Sequence, residues 1–428
     1  MVRAPQSPLT FLYIGLGWLI LSSLLGLAIL IGIVRGTPLP PALRLIHVHG
    51  ALVGGILQIL LAGVLMGERG HISTETRAPS FVLLLVLLNA ATIGLSMGFW
   101  LRDHRLVGAA GLFLLATLLM SARTVWRMIR QADRSFLHRL YFGLSVCGLY
   151  AGIGVGVAIA FQWVQLWQGH ARLGHIHLTV FLFAILSLVG LVRLILPAIL
   201  RVRLRSARLD LVILTALLLG TSGLLTGFLL SSVSVQLIAG GVLLIGLGLN
   251  IYDLFRWWLD AGQPGNAWCD HLLVSMFFLL LSAILGIAVG INSLWHPPPV
   301  PYGTLHIIAY THTAFIGFLL QGLFGGLSYF LPIWLAQLRV ASNKKRPAYI
   351  EILTDIMNRW RAVQIFSLSF GTLGLAVVAT LTWTVPLGSF VIHFATWFSV
   401  GLLAMSFALF CAKVAHMSGY HPERERTH

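Results

Sequence analysis

The sequence predicts an all-α integral membrane protein of about twelve transmembrane helices in three pseudo-symmetric four-helix repeats. Three observations predict it. Apolar residues make up 58% of the 428 positions and charged residues 9%, too few charges to cover the surface of a soluble domain. The apolar runs reach about twenty residues or more, the length that crosses a hydrocarbon core. The basic residues gather in alternate loops, as they do in a multi-pass chain.

The spans fall near 10–34, 44–66, 79–101, 107–130, 137–163 and 171–200 in the first half, and near 208–231, 233–258, 268–293, 304–332, 360–384 and 388–413 in the second. The first run has no small-residue cleavage site and reads as a retained helix rather than a signal peptide. No long polar linker divides the spans, so residues 1–428 read as a single membrane domain. Its internal repeats cover approximately 10–130, 137–258 and 268–413.

Charge orients the spans. Arg123, Arg127, Arg130, Arg134 and Arg139 flank one even-numbered loop, and Arg193, Arg201, Arg203, Arg205 and Arg208 flank the next. Arg339, Lys344, Lys345, Arg346, Arg359 and Arg361 flank a third. Of the 28 lysines and arginines, Arg35, Arg44, Arg102, Arg105 and Arg172 fall on the opposite side. The positive-inside rule then places both termini in the cytoplasm. The formal charge of +16 is thus a topology signal with membrane lipid headgroups as partners, and it argues against a nucleic-acid role. Cys147, Cys269 and Cys411 are too far apart to suggest a disulfide framework or a thiolate metal site.

Three helices begin in the same way. Helix 2 reads His47-Val48-His49-Gly50, with Gln58 following; helix 6 reads His175-Ile176-His177; helix 10 reads Tyr310-Thr311-His312, with Gln321 in the matching place. His177 precedes Pro197 by the same interval as His312 precedes Pro332. Positions i and i+2 on a helix point roughly 200° apart, so each marked helix can serve a site on either flank. In a ring of three repeats this pairs His312 with His47, His49 with His175, and His177 with Tyr310. Two imidazoles facing across a dry space are what a bis-histidine haem b needs, and neutral imidazole suits a lipid-embedded site. His47, His312, His49 and His175 are the candidate iron ligands. His177 and Tyr310 form a third candidate position. Arg44 and Arg172, beside the histidine pairs, are placed to neutralise propionates or to anchor the interface. A lone membrane histidine is more often an interhelical hydrogen-bonding group; it is the register across three repeats that favours ligation. His393 is a candidate propionate partner. His271 reads as an interfacial residue, His71, His104 and His138 as loop or helix-end residues, and His421 and His428 as part of a solvated tail.

Three four-helix repeats with histidines on helices 2, 6 and 10 resemble subunit I of the haem-copper oxidase superfamily, with cbb-type oxidases and bacterial nitric oxide reductases nearest in pattern. The resemblance spans the whole chain and is strongest from Tyr310-Thr311-His312 to Tyr329-Phe330-Leu331-Pro332. It implies His312 and His47 as low-spin haem ligands and a bacterial-type inner membrane location. Three departures accompany it. Tyr310 stands where the family has its high-spin haem histidine, the span from Leu209 to Ser231 lacks the family's paired metal histidines, and no Glu lies deep within a span. The oxygen or nitric oxide reductase site therefore reads as incomplete. No catalytic residue is assigned, and no copper is expected.

The expectation is a multihaem b cytochrome with two haem b groups, one or three being the alternatives. It would transfer electrons in a respiratory-type oxidoreductase complex, exchanging with a periplasmic cytochrome c, another redox subunit or quinol. Two other readings stand beside it: a haem enzyme or sensor that binds nitric oxide or oxygen, and a cofactor-free transporter or assembly subunit.

Overall fold

A computed structural model describes residues 9–69, 81–131, 136–202, 207–299 and 303–421. His71, Arg134, Arg203, Arg205 and His428 lie outside the described residues. Among those described, twelve helices are long and apolar enough to cross a membrane: α1 Leu9–Val34, α2 Ala42–Met66, α3 Val82–Leu101, α4 His104–Arg127, α5 Phe136–Ala160, α6 Gln165–Pro197, α7 Ala207–Leu229, α8 Val233–Asp260, α9 Ala267–Asn292, α10 Leu305–Arg339, α11 Arg361–Leu381 and α12 Phe390–Gly419. A short helix, Arg346–Asn358, lies between α10 and α11. No strand occurs among the described residues. The chain is an all-α multi-pass membrane protein. Its solvent-side counterpart is missing from the helix faces: Leu24, Ile238 and Phe394 are at least 60% exposed, which only contact with lipid tolerates on this scale.

The fold divides into two compact units. Unit 1 holds 1–190 and 221–232, and unit 2 holds 191–220 and 233–428. Within unit 1, α1, α2 and α3 are joined by a polar chain in an otherwise apolar interior. Trp18 Nε1 donates to Asn89 Oδ1 at 2.7 Å, Asn89 Nδ2 donates to Gln58 Oε1 at 3.1 Å, and Gln58 Nε2 donates to the Phe11 carbonyl at 3.2 Å. In a membrane such bonds select partners, because apolar burial does not distinguish one helix from lipid.

Within unit 2, Arg193 lies 1% exposed on α6 and binds both Asp210 on α7 and Asp253 on α8, the latter at 2.7 Å, with Asn250 Oδ1 accepting at 3.0 Å. Its guanidinium also covers the Trp257 ring, 5.0 Å from the ring centre. Arg193 is therefore not a loop-flanking topology residue, as its sequence position suggests. It is a buried cation pinning three helices, and burial is tolerated because two carboxylates meet it. The end of α12 is held by another arginine. Arg339 donates to the carbonyls of Met417, Ser418 and Tyr420 at 2.9, 2.7 and 2.7 Å, filling acceptors that a helix C-terminus leaves open.

The three marked helices share a local structure that periodicity does not reveal. Each is α-helical up to its second marked residue and then π-helical for eight residues: Gly50–Leu57 after His49, Leu178–Ile185 after His177, and Thr313–Leu320 after His312. The α-helix resumes at Gln58, Leu186 and Gln321. Widened turns of this kind concentrate at functional sites.

Candidate functional site

The candidate residues follow one hydrogen-bonding rule. The first histidine of each pair uses Nδ1 to reach the preceding helix: His47 to the Ser22 carbonyl on α1 at 2.7 Å, and His175 to the Gly152 carbonyl on α5 at 2.8 Å. The second uses Nδ1 to reach its own helix four residues back: His49 to Leu45, His177 to Leu173, and His312 to Ile308, at 2.9, 2.8 and 2.7 Å. A carbonyl can only accept, so in every case Nδ1 carries the proton of the neutral ring. The lone pair then sits on Nε2, the nitrogen available to a metal.

The rings approach their neighbouring helix through glycine. A Cβ built on Gly26 of α1 would stand 2.6 Å from His47 Cε1, one on Gly156 of α5 would stand 2.9 Å from His175 Cε1, and one on Gly286 of α9 would stand 3.0 Å from Tyr310 Oη. These glycines lie at equal intervals of 130 residues. Each receives the first marked residue of its repeat, so the absent side chain is what admits the ring.

His49 and His175 are brought together inside unit 1. Their ring centres are 6.3 Å apart and their planes differ by 17°. Two metal–imidazole bonds of about 2 Å in line, with a ring radius of roughly 1 Å at each end, also put the centres of two axial ligands about 6 Å apart. With this donor set, tautomer and ring separation, His49 and His175 would be the residues to hold one haem iron. Phe99 closes one side, its ring centre 4.7 Å from that of His49. His177 lies between Phe181 and Phe228, at 5.3 and 4.5 Å. His47 and His177 belong to unit 1, and Tyr310 and His312 to unit 2.

Arg44 and Arg172 are exposed and stand one turn before His47 and His175, on the same helix face by register. His393 is half-buried. Among the described residues, no group of three or more His, Cys, Asp or Glu side chains comes together to hold a metal ion.

Two histidines differ from their sequence reading. His271 is fully buried rather than interfacial, and His138 is buried rather than solvated at a helix end. Sequence reasoning also passed over the Arg193 cluster. Its signal was present, because Arg193 interrupts an apolar run and Asp210 and Asp253 fall inside predicted spans, where ionisable residues need partners.

No protein-family model matches the chain, and no curated protein is significantly similar to it.

Proposed function

We propose that this chain is a membrane-embedded multihaem b cytochrome that passes electrons within a respiratory-type oxidoreductase complex. The observation that carries the reading is the His49–His175 pair: two neutral imidazoles, each with its proton held on Nδ1, with ring centres 6.3 Å apart. His47 and His312 have the same tautomer and are assigned as haem ligands as well, on the repeat in the sequence. That makes two haem b groups per chain.

Haem b supplies a reversible one-electron site when bound. The protein's own residues prepare for it. The Leu45 and Gly152 carbonyls fix the ring orientation of His49 and His175 and raise the basicity of Nε2. Phe99 keeps water from the His49 ring, which favours a steady coordination number. Arg44 and Arg172 offer positive charge one turn away for carboxylates at the membrane boundary. In the orientation that the loop charges favour, the start of α2, α6 and α10 would face the periplasm of a bacterial-type inner membrane. Exchange with a periplasmic cytochrome or other redox subunit follows from that placement, and quinol is the donor or acceptor available within the bilayer.

The test is spectroscopic. Purified protein should show reduced-minus-oxidised b-type bands, and His175→Ala should remove one haem equivalent while His170→Ala leaves the spectrum intact. Equal haem content in the native protein and His175→Ala would reject the pair as ligands.

A further inference from the structure

Helices that cross a membrane in succession alternate in direction. The turns before α2, α4 and α6 therefore share one end of unit 1, the end at which His49 and His175 lie. Those turns and the starts of the helices that follow carry five arginines: Arg35, Arg44, Arg102, Arg105 and Arg172. All five are exposed. A single acidic residue, Asp103, stands among them. The remaining turns that precede an even-numbered helix, 230–232, 293–304 and 382–389, hold no Lys, Arg, Asp or Glu.

Local structure leaves this charge unneutralised. Arg102 ends α3 in the left-handed region at a φ of 55°, and the Asp103 N–H then bonds back to the Gly98 carbonyl at 2.9 Å. Asp103 Oδ1 accepts from the main-chain N–H groups of Arg105 and Leu106 at 2.9 and 3.2 Å. The one nearby carboxylate is thus spent on capping α4. Among the described residues, none of the five guanidinium groups is paired with a carboxylate.

Lipid headgroups surround every helix alike and give no reason to charge three turns and spare the other three. Haem carboxylates, in the proposed function, take Arg44 and Arg172. That leaves Arg35, Arg102 and Arg105 without an occupant. The same end of unit 1 also presents apolar surface: Trp163, just before α6, is 71% exposed, and Leu166, in its first turn, 95%. Arginine and tryptophan enriched together, with acidic residues depleted, is the composition of a protein docking surface.

We propose that this end of unit 1 docks a water-soluble electron-transfer protein through an acidic face of that partner. The partner's redox nature rests on the proposed function, whereas its acidity rests on the arginines alone. Complementary charge steers the encounter and fixes its register, and the same surface repels a basic cytochrome. Docking here also brings the partner close to the His49–His175 pair. Arg44 precedes His49 by five residues, about 7.5 Å along α2, and Arg172 precedes His175 by three, about 4.5 Å along α6.

The test is binding, measured without electron transfer on full-length protein in sealed phosphatidylcholine vesicles. Helix α12 ends on the opposite side of the membrane, so vesicles in which a tag after α12 is inaccessible present the arginine end outward. An acidic plant-type ferredoxin should bind them, about tenfold or more weaker at about 200 mM than at about 20 mM salt. Replacing Arg35, Arg102 and Arg105 together by Gln should cost about tenfold or more in affinity with the haem b spectrum unchanged. A basic c-type cytochrome should not bind. If the triple variant is not monodisperse, Arg35→Gln and Arg105→Gln alone should each weaken binding about threefold. Ferredoxin binding that ignores these substitutions, or tighter binding of the basic cytochrome, would overturn the inference. So would phosphatidylglycerol that copurifies with the native protein, is lost from the triple variant and keeps ferredoxin from binding; the arginines would then belong to lipid headgroups. Haem-loaded protein that fails to bind ferredoxin rejects this inference alone. Protein without haem that still binds it retains the acidic partner and rejects the electron-transfer role.

Discussion

Gly156 and Gly154 lie two residues apart on α5 and call for opposite outcomes. A Cβ at 156 meets the His175 ring at 2.9 Å, whereas one at 154 meets nothing within 4 Å. Gly156→Val should therefore displace the ring and cost the haem proposed for His175, while Gly154→Val keeps it; absorbance in the haem b bands of the two purified variants decides. Loss in both, or in neither, would remove the packing argument. The histidines themselves were legible in the sequence, because a polar residue type recurring at matched positions of apolar runs stands out. Their hydrogen-bond partners were not, since Ser22, Leu45 and Gly152 accept through main-chain carbonyls that no residue type announces. The receiving glycines were hidden by their number, with 44 in the chain.

Elements carry a different set of expectations. Arg193→Ala would leave Asp210 and Asp253 buried without their cation, a loss of about 3–5 kcal/mol for a buried pair broken on one side. A marked fall in thermal stability in detergent is expected, and replacing Asp210 by Asn should cost less because the amide keeps a hydrogen-bonding acceptor. Stability of Arg193→Ala equal to that of native protein would contradict the role given to the cluster. Arg339→Ala should free the last turn of α12, read as faster amide exchange over 414–420 with the helices of unit 1 unaffected. Exchange there at the native rate would mean that other groups hold the terminus. Most spans matched the apolar runs to within a few residues, because length and hydropathy alone decide where a helix can cross. The larger differences have local causes. Helix α10 continues past Pro332 to Arg339, since a proline interrupts one backbone bond but the buried Leu331, Trp334, Leu335 and Ala336 hold the helix in place. The π-helical segments were illegible, because an extra residue per turn leaves no trace in composition; it shows only in what the following side chains touch.

At the scale of the whole molecule, the sequence carried the fold class because lipid imposes it. A spanning segment must satisfy its own backbone, and only helices do so one at a time. The loop charges predict an orientation, in which cysteine-accessibility labelling should find the 340–345 turn on the cytoplasmic side and the 293–299 loop on the other; the reverse would invert the assignment of donor side. Function was legible only as far as the spacing of rare residues reached. The three marked helices carry the proposed ligands, but neither a spacing nor a tautomer names a redox partner. These helices are proposed to hold haem b. The most direct test is a pyridine haemochrome assay on gently purified full-length protein, read with reduced-minus-oxidised spectra. About two haem b per chain, falling by one equivalent in His49→Ala and in His175→Ala, is the predicted result; a chain that purifies intact without haem would contradict it.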